Sequence, residues 1–198
     1  MATRWAVPRM WTGKTAVVLA GGESLKQQSL LPLRSAAAST KVIVVNNSFR
    51  LWPEADMLYA ADADWWRHNA QEALRFPGLK VTSHDCCEFR AVHLLQRTGT
   101  EGFDADPSCV RTGGNSGYQA IHTAIHAGAD RILLLGFDMH GSHWFGQHEA
   151  PLMNPSQVNF DEWTPRFEAL IGRGSEIVNC TPGSTLTCFR SSQLVDEV

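Results

Sequence analysis

The sequence predicts an α/β fold of the Rossmann-like, doubly wound kind, with a mostly parallel sheet and an irregular lid segment. Three observations carry that expectation. Four apolar runs each end in small or polar residues, and continuous apolar strands belong to parallel sheets buried on both faces. Helical stretches lie between them, and strand–helix alternation builds open parallel sheets. At 198 residues and 43% hydrophobic, the chain can bury a core as one domain. Residues 1–198 therefore read as a single domain, with 140–160 as a lid or active-site loop.

The strands come in order. Residues 15–20 run into Gly21, Gly22, Glu23 and Ser24; 41–45 end at Asn46 and Asn47; 57–61 end at Asp62, Ala63 and Asp64; 131–135 end at Gly136, Phe137 and Asp138. Shorter runs at 80–82 and 176–178 add two more. The clearest helix is 117–127, with Tyr118, Ile121 and Ile125 as its apolar stripe, Asn115 or Ser116 as its cap and Gly128 as its stop. Residues 65–75 and 162–172 read as further helices. Residues 98–114 and 140–159 fit no regular element, and long irregular loops in a compact domain are often binding loops or lids.

Composition removes several function classes. A net charge of -3 argues against bulk binding of nucleic acid or an anionic membrane. Thirteen of the seventeen basic residues are Arg, which suits bidentate anion recognition but also follows from a GC-rich genome. No run approaches the ~20 apolar residues of a membrane helix, and the first fourteen residues do not read as a signal peptide. Five cysteines, with Cys86 and Cys87 adjacent and no CxxC pair, suit reduced thiols and a cytoplasmic protein. A thiol nucleophile is a weak expectation.

Ligands of open parallel sheets bind at the carboxyl ends of the strands, which turns each strand end into a candidate site. Gly21, Gly22 and Ser24 form a turn whose amides can approach a phosphate, or a plain strand-to-helix turn. Gly114, Asn115, Ser116 and Gly117 open the best helix, where amides and hydroxyls suit an anion or a ribose; capping is the structural alternative. Asp62 and Asp64 form a DxD triplet that could hold a divalent metal, although Asp64 could equally cap the helix that follows. His140, His143 and His148 crowd one loop, as general bases, zinc ligands or solvated side chains. His122 and His126, four apart, read as a solvated helix face. Thr181 and Ser184 follow the last strand and suit a base or ribose. Trp65, Trp66 and Trp144 are candidate site walls or covers, and Trp65–Trp66 a candidate interface.

Taken in order, these motifs resemble those of the bacterial sialyltransferases of glycosyltransferase family 42. The segment 20–25 is similar to that family's first turn, 45–49 to its second strand end, 115–117 with 132–138 to its Thr-Ser-Gly helix and following strand, and 142–146 to its Ser-His-Tyr-Ile-Gly lid. The first and fourth motifs also resemble the MptE-like family, related to archaeal 6-hydroxymethylpterin diphosphokinases. The Gly-Gly-Asn-Ser-Gly-Tyr-Gln-Ala stretch is similar to uncharacterised bacteriophage proteins, which would place the chain in a host cytoplasm.

The first resemblance implies a nucleotide or nucleotide-sugar donor in the crevice, with Gly21, Gly22 and Ser24 beside phosphates. Asn46 and Ser116 would hold the nucleotide, and His143 would be general base, or His148 if the lid register differs. Asn47, Asp62, Arg111 and Asp138 complete the expected donor site, Arg111 helping to neutralise the leaving group. The expected activity is sugar transfer to a hydroxyl acceptor without a metal. The second resemblance implies Mg²⁺-dependent pyrophosphoryl transfer from ATP, with Asp62, Asp64 and Asp138 as ligands. A non-catalytic nucleotide-binding module is the third possibility, and a homo-oligomer is compatible with all three.

Overall fold

The computed structural model describes residues 1–36, 39–85 and 87–198. The strands are β1 (Thr3–Arg4), β2 (Thr15–Leu19), β3 (Thr40–Val45), β4 (Met57–Tyr59), β5 (Leu79–Thr82), β6 (His93–Leu94), β7 (Gln96–Arg97), β8 (Cys109–Val110), β9 (Arg131–Leu135), β10 (Glu176–Asn179) and β11 (Arg190–Ser191). The α-helices are α1 (Leu31–Ser35), α2 (Ala63–His68), α3 (Ala70–Ala73), α4 (Ser116–His126) and α5 (Gln157–Trp163). Nine strands form one sheet in the order β1-β6-β5-β4-β3-β2-β9-β10-β11, with every neighbouring pair parallel. The expected α/β, doubly wound fold is observed.

Side-chain alternation explains why the central strands are apolar throughout. Ala16 and Val18 of β2 belong to one hydrophobic cluster, together with Tyr118, Ile121 and Ile125 of α4. Val17 and Leu19 belong to the other, with Leu33, Trp65 and Trp66 from the opposite layer. Successive residues of a strand point to opposite faces, so a sheet covered on both sides needs apolar residues at every position. Leu19 is in register with Val44 of β3 and Leu135 of β9, which aligns the carboxyl ends of these strands.

The helices depart from expectation at two places. The stretch 65–75 is not one helix, because α2 and α3 are separated at Asn69 (φ -101°, ψ 10°). The Asn69 amide group donates to the Trp65 carbonyl at 2.9 Å, and its side-chain oxygen accepts from Arg50 at 3.0 Å, a side chain competing with the backbone ladder. The stretch 162–172 is the end of α5 followed by 3-10 helix over Thr164–Leu170. Pro165 lacks the amide that would continue α5.

His122 and His126 are not on a solvated face. They are 0% and 8% exposed, because the segment before α4 folds over that side of the helix and Phe103 stacks on His122 at 4.2 Å. Trp65 and Trp66, at 2% and 0% exposed, are core residues and do not form an interface. Cys86 lies outside the described residues. Cys87, Cys109, Cys180 and Cys188 are unbonded thiols, and burial pushes Cys180 and Cys188 up to about 11, which disfavours the nucleophilic thiolate. No helix of the described residues is long and apolar enough to cross a membrane.

Candidate functional site

From β2 the chain builds outward through β3, β4 and β5, then returns to lay β9 against the other side of β2. Neighbouring strands whose connections run opposite ways leave a crevice at their carboxyl ends. A cavity of about 370 Å³ lies there, within the usual range for small-molecule sites. Gly21, Gly22, Asn46, Asn47, Asp62, Gly114, Asn115, Ser116, Gly117, Asp138, His143 and His148 all line it, as does His140. Residues from five separate loops thus meet at one place.

The first turn closes on a carboxylate of the chain itself. The Ser24 amide donates to Asp138 Oδ1 and the Ser24 hydroxyl to Oδ2, both at 2.9 Å. A Cβ at Gly22 would coincide with Asp138 Oδ2 and stand 2.5 Å from the Gly136 carbonyl, so only glycine admits this approach. Ser24 therefore sits behind Asp138, with its amide and hydroxyl engaged there, whereas the sequence placed it beside a phosphate.

At the third corner, Asn115 caps α4 by accepting the Tyr118 amide at 2.8 Å. Its Nδ2 is buried with no partner, and so is Oδ1 of Asn46. Asn46 (φ 50°) and Met139 (φ 57°) are the non-glycine residues with positive φ among the described residues, and both line the cavity. Unpaired buried amide atoms and left-handed backbone each carry a cost, and such features cluster where a ligand is held. In the first turn of α4, the amides of Ser116 and Gly117 have no intrahelical acceptor.

The histidines come from the loop after β9. His143 forms an isolated bridge with Gly22, and the Trp144 amide donates to the Gly21 carbonyl at 2.9 Å. The His143 ring lies over Gly21, its Cδ2 2.9 Å from where a Cβ would be. Phe145 stacks on it at 4.8 Å, and His148 meets it edge-on at 4.8 Å. Burial pushes the His143 pKa below the ordinary histidine value, partly offset by the Gly146 carbonyl. His148 is pushed down to about 4, by burial first and then by His143. Both are neutral at neutral pH.

Several expected residues lie elsewhere. Arg111 donates to the Thr98 carbonyl at 2.6 Å and pairs with Asp104 at 3.8 Å, bracing its own loop. The Thr181 hydroxyl accepts the Phe137 amide at 3.0 Å, and the Ser184 hydroxyl donates to the Phe137 carbonyl; these hydroxyls satisfy the backbone where β9 ends. Asp64 is 71% exposed and pairs with Arg67 at 2.7 Å, so the DxD triplet does not converge on one point. Trp65 donates to Asn47 Oδ1, Trp66 to the Ala60 carbonyl and Trp144 to Ser48 Oγ, and none of the three lines the cavity.

Sequence reasoning missed Phe145, Asn154, Phe160 and Trp163, which are also part of the wall. Gly114 (φ 85°) has no side chain where Trp163 and Arg166 pack, and Arg166 donates to the Gly113 carbonyl at 3.3 Å. Phe160 and Trp163 are three apart and pack edge-on at 5.9 Å; that spacing is visible in the sequence, but their turn toward the strand ends is not. No Lys or Arg is among the lining residues, and the carboxylates are Asp62 and Asp138. An anionic ligand here would be met by backbone amides and neutral side chains.

No protein-family model matches the chain, and no curated protein matches it. Among solved structures it is similar to the MAf glycosyltransferase from Magnetospirillum magneticum AMB-1, with a TM-score of 0.68 and 14% identity over 98% of this chain. The match covers 36% of that protein, so this chain spans about a third of its length. The likeness is one of fold.

Proposed function

We propose that the chain is a glycosyltransferase-like transferase that moves a sugar from a nucleotide-sugar donor to a hydroxyl acceptor, with His143 as general base. One observation carries the reading: a neutral imidazole and two unpaired buried amides share a cavity at the switch point of the sheet. The fold likeness to a glycosyltransferase and the family 42 resemblance support it.

In this mechanism the acceptor hydroxyl gives its proton to the neutral His143 ring as its oxygen attacks the anomeric carbon. The bond from that carbon to the phosphate oxygen breaks, and the leaving nucleotide takes up the negative charge. The Ser116 and Gly117 amides at the start of α4 face that charge, and Asn46 and Asn115 gain partners on the nucleotide. His148 and Phe145 keep the His143 ring in place and partly dry. The pyrophosphoryl alternative would rest on Asp62 and Asp138, with Asp64 turned to Arg67.

Mass spectrometry of nucleotide retained through native purification, with a thermal-shift panel of CMP-, UDP- and GDP-sugars and ATP, tests this assignment. One nucleotide sugar should raise the melting temperature equally with and without Mg²⁺. Stabilisation by ATP alone, and only with Mg²⁺, would instead favour the pyrophosphoryl reading; no stabilisation by any nucleotide would contradict both.

A further inference from the structure

A second groove, of about 560 Å³, opens at the carboxyl ends of β1, β5 and β6. Its apolar part comes from Trp5, Leu94 and Leu95, and two guanidinium groups, Arg4 and Arg97, face it. Arg97 is held in place: Nε donates to Ser83 Oγ at 3.0 Å and Nη2 to the Ala61 carbonyl at 2.7 Å. Arg4 donates from Nη1 to Gln96 Oε1 at 2.8 Å. Among the described residues neither has a carboxylate partner, whereas Arg34, Arg50, Arg131 and Arg190 are all ion-paired. The groove's own carboxylate, Asp85, is 89% exposed and lies 3.5 Å from His84.

We propose that this groove is an anion-binding site that takes the carboxylate or phosphate of a second ligand, with Arg97 and Arg4 as its donors. A guanidinium presents donors in a planar fork that matches both oxyanions. The bonds to Ser83 and Ala61 fix the Arg97 fork in advance, so little side-chain freedom is lost on binding. Neither charge has an internal carboxylate to give up when a ligand arrives, and Nη1 of Arg97 is not used by the bonds to Ser83 and Ala61. The groove shares no lining residue with the first cavity, and the proposal does not rest on what that cavity does.

Calorimetric titration of the full chain at low ionic strength, with inorganic phosphate in one arm and glucuronate in the other, tests it. At least one probe should saturate in the millimolar range, and the arm that does so identifies the oxyanion. Arg97→Gln and Arg4→Gln should each weaken that binding about tenfold, while Arg75→Gln, outside the groove, should leave it unchanged. Arg97 also braces the Ala61 backbone; Arg4 bonds only an exposed side chain, so its variant keeps the test clean if Arg97→Gln perturbs the fold. Absence of saturation in both arms, or wild-type affinity in Arg4→Gln, would overturn the proposal.

Discussion

Two histidine pairs, one inside the fold and one at the cavity, sit in contrasting surroundings. His122 and His126 stand on α4, and His143 and His148 on the loop after β9, and burial favours the neutral ring in all four. The ring of His122 is held by backbone on both sides: Nδ1 accepts the Arg111 amide at 3.4 Å, and Nε2 lies 3.0 Å from the Asp104 carbonyl and 3.3 Å from the Asp104 amide. His126 Nε2 faces the Cys109 carbonyl at 3.2 Å. This pair ties the segment before α4 to the helix. His143 and His148 pack on Phe145 and on each other at the cavity wall. The two pairs share a protonation state but not their surroundings: the rings on α4 bond the backbone of the preceding segment, and the other two line the cavity.

The largest expected effect tests that division by truncation. His122→Ala should cost about 3 kcal/mol of stability, from the void and the stranded backbone groups, whereas His143→Ala should cost less than about 1 kcal/mol. Urea unfolding of both variants reads the contrast, and equal losses would erase it.

Acid comes next. The folded pKa of His122 lies near 4, below its ordinary 6.5, so the unfolded chain binds more protons between those values. The stability this ring contributes is whole above about pH 6.5 and falls as pH drops toward 4, by roughly 2 to 3 kcal/mol. In His122→Leu the slope of unfolding free energy against pH should flatten over that window; an unchanged slope would mean that other groups set it.

A smaller effect probes the coupling between His143 and His148. Because charge on His143 helps hold His148 near 4, His143→Ala should move the His148 titration upward. Imidazole proton shifts followed by NMR report it, and an unmoved His148 would show that burial alone sets its value.

Much of this was legible in the sequence, for reasons tied to particular residues. The runs at 15–19, 40–45 and 131–135 are apolar at almost every position because both sheet faces are covered, and Asn115 and Gly128 punctuate α4 by local backbone rules. Gly21, Gly22, Asn46, Asn47, Asp62 and Asp138 on the cavity wall followed from strand ends. The rest depended on contacts distant in sequence. The stripe reading left His122 and His126 exposed, since nothing in α4 announces that Phe103 will stack there. Arg111 lies two residues before Gly113 in the chain, yet Asp104 and the Thr98 carbonyl hold it. Trp163 carries no local signal of its place, which the positive φ of Gly114 makes possible.

The central claim, that His143 accepts the acceptor's proton, is tested most directly by single-turnover transfer in His143→Ala, with donor affinity measured on the same sample. The expected result is a loss of at least about a hundredfold in rate with donor binding retained. In the wild type, the acid limb of the pH–rate profile should fall below the ordinary histidine value of 6.5. Transfer at the wild-type rate in His143→Ala would contradict the account.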